Sequence, residues 1–482
     1  MTRSGATMGL HEQTRLEAGT ESASASGLGA LASRISHFSR ADNAIEISGK
    51  VTAAAAGRYT IAGLSRHLRL GDLVEFRNGP KRRLAEVVRL DPQEAIVCPI
   101  EGTAGEAAAS IGERVWRRGP FMLAPDESWC GRTINALGEP VDGLGPMRKG
   151  GADRPLDAAP PQSMKRDRVT NAIRTGVKVV DIFAPLCRGQ RMGVFAGSGV
   201  GKSTLLSMFA RAADFDRAVI ALVGERGREV REFIEDTLGE NMKKTVAVVA
   251  TSDESPMLRR MAPLTAMTIA EHFRDKGENV LLVVDSLTRY AHALREVGMA
   301  SGEPPVARGY PASVFTALPG LLERAGPGQE GAGAITAIVS VLVDGDNHND
   351  PVADSARGIL DGHLVLDRKL ADEGRYPPVN PLTSISRLAR KAWKGDEEKL
   401  ALRLKALIHK FEETSDLRLI GGYRPGTDAE LDMAVKQTPV IYDILRQGPD
   451  DPPSPDAFGE LAEAMKQAAG IAATAGQKDR KG

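Results

Sequence analysis

The apolar positions of this chain change their period twice, and each change predicts a different architecture. Between residues 45 and 120 the segments IEISGKV, RYTIAG, DLVEFRNG, RLAEVVRLD and EAIVCPIEG alternate or run apolar between Gly, Asn and Asp. Short strands at this spacing predict a small β-barrel. From residue 191 the pattern becomes a series of solid apolar runs: RMGVF, AVIALV (218–223), TVAVVA (245–250), NVLLVVD (279–285) and AITAIVSVLV (334–343). Helical stretches separate them, among them 256–276 and 286–297. β-Branched runs without alternation suit parallel strands covered on both faces. Residues 391–447 return to a helical period, clearest in KLALRLKALIHKFEET. DDPPSP (450–455) then breaks the chain before a last helix over 458–473.

The predicted fold class is therefore an α/β core with a parallel sheet, preceded by a small β-barrel and followed by a helical domain. The expected divisions are 1–33, a flexible segment; 34–120, the barrel; 121–390, the core; and 391–482, the helical domain. The turn-rich stretch GRTINALGEPVDGLGP (131–146) leads from barrel to core. Residues 1–33 are rich in Ser, Gly, Ala and Thr and bury too little to build a core. Within them MGLHEQTRLE has the pattern of one short amphipathic helix; a disordered tail and a partner-docking segment both fit.

Composition narrows the function classes. Sixty-three Lys and Arg balance 63 Asp and Glu, which leaves no global electrostatic case for nucleic-acid or membrane binding. The longest apolar run, 334–343, is half the length of a membrane helix. Cys98, Cys130 and Cys187 are far apart and lack metal-ligand spacing, which predicts reduced thiols in a cytosolic protein.

The chemistry begins at residues 191–204, RMGVFAGSGVGKST. A short strand, the loop Ala196, Gly197, Ser198, Gly199, Val200, Gly201, and a helix opening on Lys202, Ser203, Thr204 give the context of a Walker A phosphate loop. Glycines let backbone N–H groups close around phosphate oxygens, and the helix N-terminus adds positive dipole. Lys202 is placed to reach the β and γ phosphates and the Ser203 hydroxyl to bind Mg²⁺. Ala196 stands where the pattern usually has Gly. An ordinary glycine-rich turn is the plain alternative, and a dinucleotide fingerprint fails because residue 202 is Lys rather than Gly.

Asp285 ends an apolar strand and is a candidate Walker B acid, holding Mg²⁺ through water; the alternative is the N-cap of the helix at 286. Glu225, in GERGREVREF, is a candidate to orient or deprotonate the attacking water, or else a solvated charge in a turn. Arg226 and Arg228 suit phosphate binding and equally suit pairing with acids such as Glu229. The loop 344–350, DGDNHND, resembles a calcium loop only superficially, since it lacks the required Gly and the flanking helix pair.

KVVDIFAPLCRGQRMGVFAGSGVGKST, GERGREVREFIED and DSLTRYAHALREVG resemble the ATPases that drive flagellar and type III protein export. PPVNPLTSIS (377–386) is similar to the segment they share with rotary ATP synthase α and β subunits. The resemblance implies a RecA-like core and a homohexamer with ATP at subunit interfaces. It implies that Glu225 is the catalytic carboxylate, with Arg226 beside it, that Arg387 is an arginine finger toward a neighbour's nucleotide, and that Tyr376 lies against adenine. The implied task is ATP hydrolysis coupled to unfolding or delivery of export substrates. The implied partners are a stator-like regulator on residues 1–33, a coiled-coil stalk in the C-terminal pore, an export-gate membrane protein and chaperone–substrate complexes. The implied location is the cytoplasmic side of the inner membrane. The alternatives are an injectisome ATPase, a synthase catalytic subunit, and a hexameric RNA translocase, the last at odds with the neutral charge and with a barrel lacking an aromatic RNA-binding face.

Overall fold

The computed structural model describes residues 46–77, 82–101, 109–343 and 350–478. The N-terminal segment 1–33 and loop residues 344–349 lie outside these.

Six antiparallel strands close into a barrel: β1 (Ser48–Ala55), β2 (Arg58–Ala62), β3 (Asp72–Phe76), β4 (Arg83–Leu90), β5 (Glu94–Pro99) and β6 (Arg114–Pro120), in the order β1-β2-β5-β4-β3-β6. Its interior is a small apolar cluster of its own, with Val51, Ile61, Val74, Phe76, Val87, Val97 and Val115. Closure leaves no sheet edge exposed.

The core sheet contains β7 (Thr133–Asn135), β8 (Arg191–Ala196), β9 (Arg217–Val223), β10 (Thr245–Ala250), β11 (Asn279–Asp285), β12 (Ala334–Leu342), β13 (Gly362–Val365) and β14 (Ile385–Ser386). Their order is β14-β13-β8-β12-β11-β9-β10-β7, and every pair is parallel except β13 with β14. The absence of alternation now has its reason. In β9, Val219, Ala221 and Val223 join the apolar layer on one face, while Ala218, Ile220 and Leu222 join the layer on the other. Both faces are dry, so residues 218–223 are apolar at every position.

Among the helices between and after these strands, α1 (Lys178–Phe183), α2 (Lys202–Ala210) and α3 (Gly227–Glu232) precede α4 (Pro256–Asp275), α5 (Leu287–Ser301) and α6 (Ala312–Leu322). The C-terminal helices are α7 (Glu397–Glu413), α8 (Ala429–Leu445) and α9 (Ala457–Lys478). Helices α4 to α6 cover one face of the sheet; α1, α2 and the C-terminal helices pack into the apolar layer on the other. Helix α4 is capped by Ser255, whose Oγ accepts from Leu258 N, with Pro256 at its first turn. The barrel is tied to the core by an ion pair between Glu86 and Arg260 and by Arg58, which donates to the Ala300 carbonyl at 2.7 Å. All three cysteines are free. No helix of the described residues is long and apolar enough to cross a membrane.

Candidate active site

The phosphate loop leaves β8 at Ala196 and turns into α2 at Lys202. Gly199 and Gly201 take φ of 77° and 96°, a region where a Cβ is strained, so glycine is required at both. No side chain caps the N-terminus of α2, which leaves its first N–H groups free to meet an anion. Arg368 steadies the loop from outside, donating to the Ser198 carbonyl at 3.1 Å.

Three strands deliver the other groups to this point, because parallel strands present all their carboxyl ends on one side. Asp285 ends β11 and is buried. Its Oδ1 lies 2.6 Å from Lys202 Nζ and also accepts from Ser340 Oγ of β12 at 2.6 Å. The cap of α5 is the next residue: Ser286 Oγ accepts from Arg289 N, which frees Asp285 from the capping alternative. Glu225 follows β9 and reaches within 3.6 Å of Lys202 Nζ, its own carbonyl held by Ser252 N at 3.0 Å. Ser203, Glu225, Glu229, Phe233, Thr237 and Asp285 line a cavity of about 180 Å³ beside the loop.

Electrostatics follow from this convergence. Burial lifts the Glu225 carboxyl above its ordinary value; Lys202 and Arg289 pull it down, and Asp285 pushes it further up. A carboxylate with a raised pKa is a stronger base toward water. The oxygen donors Ser203, Asp285 and Glu225 suit a hard cation such as Mg²⁺. Among the described residues no three His, Cys, Asp or Glu form a metal cage.

The remaining predicted residues fall in three places. Tyr376 is half-exposed beside the phosphate loop: its Cε1 would lie 3.7 Å from a Cβ placed on Gly201. Arg226 and Arg228 are exposed and pair with Glu229 at 3.4 Å and Glu232 at 3.5 Å, so neither enters the cavity. Arg387 stands at the other end of the sheet. Its N donates to the Asp361 carbonyl and its Nη2 to the Arg357 carbonyl at 3.1 Å.

Two residues of the site escaped the sequence reading. Ser340 is one of two hydroxyl residues, with Thr336, in the otherwise apolar β12. Arg289 lies one turn beyond Asp285, with its stem against Gly224, where a Cβ would sit 3.1 Å from the Arg289 Cβ. A polar residue in an otherwise apolar run was the available signal for the first; the second had none.

Residues 176–386 match the ATP synthase alpha/beta family, nucleotide-binding domain, and residues 394–466 match the T3SS EscN ATPase C-terminal domain. The chain is 66% identical over 453 residues to the flagellum-specific ATP synthase of Rhizobium meliloti, covering 94% of this chain and 96% of that one. The assembled ATPase EscN of the enteropathogenic E. coli type III secretion system superposes with a TM-score of 0.79 at 38% identity, over 87% of this chain and 100% of EscN. EscN in complex with its central stalk EscO superposes with a TM-score of 0.77 at the same identity, over the same shares of the two chains. With the motifs, the fold and these matches in agreement, the chain belongs to the flagellum-specific and type III secretion ATPases of the ATP synthase alpha/beta family, and it is a P-loop ATPase.

Proposed function

We propose that the chain hydrolyses MgATP at the interfaces of a homohexamer and that this drives export of flagellar proteins through a type III apparatus. One observation carries the chemical part: Lys202, Glu225 and Asp285, from three separate strand ends, meet at the phosphate loop within 3.6 Å. Lys202 binds the β and γ phosphates, Ser203 and Asp285 would hold Mg²⁺, and residues 196–204 cradle the phosphate chain. Glu225 orients the attacking water and takes its proton; Arg289 lies close enough to steady that carboxylate. Bound Mg²⁺ would neutralise charge on the phosphate oxygens. Tyr376 covers the adenine. Arg387 reaches the γ phosphoryl group of the neighbouring subunit's ATP. Arg226 is the weakest member of the set, since its exposed pair with Glu229 supports a surface role.

The flagellar over the injectisome reading is supported by the 66% identity to the Rhizobium meliloti protein. The hexamer and a coiled-coil stalk in its C-terminal pore draw support from the assembled EscN and its complex with EscO. The division at residues 33, 120 and 390, a stator-like regulator on 1–33, the export gate, the chaperone–substrate complexes and a station at the cytoplasmic face of the inner membrane complete the proposal.

The test is Glu225→Gln. The amide keeps the shape and removes the base, so turnover falls about 10²- to 10⁴-fold while MgATP still binds. Loss of nucleotide binding together with turnover would make Glu225 structural and overturn the assignment.

A further inference from the structure

Tyr376 has an exposed ring, so packing does not fix its position; its backbone must be held by something else. Its carbonyl accepts from Gln447 N at 2.7 Å. Gln447 follows α8 in the C-terminal domain and is 3% exposed. Both ends of its side-chain amide are used. Oε1 accepts from Lys178 N at 3.1 Å, at the start of α1, and Nε2 donates to the Gly176 carbonyl at 2.8 Å and the Pro452 carbonyl at 3.3 Å. A buried amide with both donors and its acceptor engaged is rigid, since any movement strands a polar group away from water. The two segments also pack closely: a Cβ on Gly176 would lie 2.4 Å from Pro453 Cβ, and Ser454 N donates to the Gly176 carbonyl at 2.9 Å. Arg375, next to Tyr376, stacks 3.8 Å over the Tyr442 ring of α8.

We infer that Gln447 is a positioning residue for the adenine side of the nucleotide site: it locks the Tyr376 segment to the root of α1, the helix that precedes the phosphate-loop strand. The inference rests on the reading of Tyr376 as the adenine contact. Gln447 touches neither the phosphate loop nor Glu225. Its influence therefore reaches the base and leaves the phosphates alone, and it makes the hold on adenine depend on where the C-terminal helices sit.

The experiment compares Gln447→Met, Gln447→Glu and Tyr376→Ala in the full chain. Met keeps the volume and removes the side-chain hydrogen bonds; Glu keeps the acceptor for Lys178 and removes the donor to Gly176 and Pro452. For both Gln447 variants, which lose three side-chain hydrogen bonds (Met) or two (Glu), the KM for ATP should rise about tenfold, with kcat almost unchanged. Inhibition by inorganic pyrophosphate, which carries no base, should stay at the native level. A native KM in a folded Gln447 variant overturns the inference. So does a parallel loss of pyrophosphate inhibition, which would mean that the whole site had collapsed. If Gln447→Met does not fold, the same readings on Gln447→Glu decide. Tyr376→Ala separates the two layers. A native KM in that variant defeats the adenine reading itself; a raised KM there beside a native KM in the Gln447 variants defeats only the role of Gln447.

Discussion

Arg387→Ala tests whether the site is complete in one chain. Strand register gives the geometry. Gly193 of β8 is level with His363 of β13, Asp361 N donates to the Arg191 carbonyl at 2.9 Å, and Arg387 N donates to the Asp361 carbonyl at 2.9 Å. Arg387 is thus level with Arg191, at the start of β8, whereas the phosphate loop begins five residues on at Ala196. At about 3.3 Å per residue the offset along the strand is about 16 Å, and two strand spacings add about 10 Å sideways. The combined separation is about 19 Å, against an arginine side-chain reach on the order of 7 Å. Arg387 does not reach the γ phosphate bound by its own chain. On the proposed mechanism it acts in trans, where an arginine finger is worth about 10³ to 10⁵ in rate, or about 4–7 kcal/mol of transition-state stabilisation. Arg387→Ala should fold, bind MgATP normally and turn it over at least about a thousandfold more slowly. Turnover per native chain should rise with concentration as rings form. Mixing Arg387→Ala with Lys202→Ala should restore part of the activity, because on the order of a quarter of the interfaces in a random ring then join an intact Lys202 to an intact Arg387. Native turnover in Arg387→Ala, or a monomer as active per chain as the ring, would refute the reasoning.

Other consequences are open to measurement. Glu271 and Arg324 form a buried pair between α4 and the end of α6, closing at 2.7 Å with Arg324 only 2% exposed. Glu271→Ala leaves that guanidinium unpaired and should cost about 3–5 kcal/mol, read as a lower denaturant midpoint; an unchanged midpoint would contradict it. Asp181, a buried residue of α1 that accepts from Thr175 N and Gly176 N, has its carboxyl pushed up to about 6 by burial, against an ordinary 3.8. A raised folded pKa means that the folded state holds the proton more tightly. The native protein's stability relative to Asp181→Asn should therefore fall by about 3 kcal/mol as pH rises from about 4 through 6 and then level off. Paired unfolding curves across that range check it, and a constant difference would count against it.

What lay open in the sequence was whatever depends on neighbours along the chain. The phosphate loop is written in fourteen consecutive residues, 191–204, because strand, glycine turn and helix N-terminus build it locally. The solid apolar runs announced a sheet buried on both faces, and the alternating short strands announced a barrel, since side-chain period reports which faces are dry. Period carries no strand order, however. Only the crossovers set β12 between β8 and β11, with β9 beyond, so that Asp285 meets a lysine 83 residues earlier and accepts from Ser340 of the neighbouring strand. The Glu271 and Arg324 pair looked like two ordinary charges until α4 and α6 were packed over the same sheet face. Arg387 and Gln447 depend on tertiary structure most of all. The first faces away from its own phosphate loop because β14 runs antiparallel at the sheet edge. The second reaches Tyr376 because the C-terminal helices fold back onto the face that carries α1 and α2, and hydrogen bonds between such distant segments follow from how the layers stack, which no local pattern encodes.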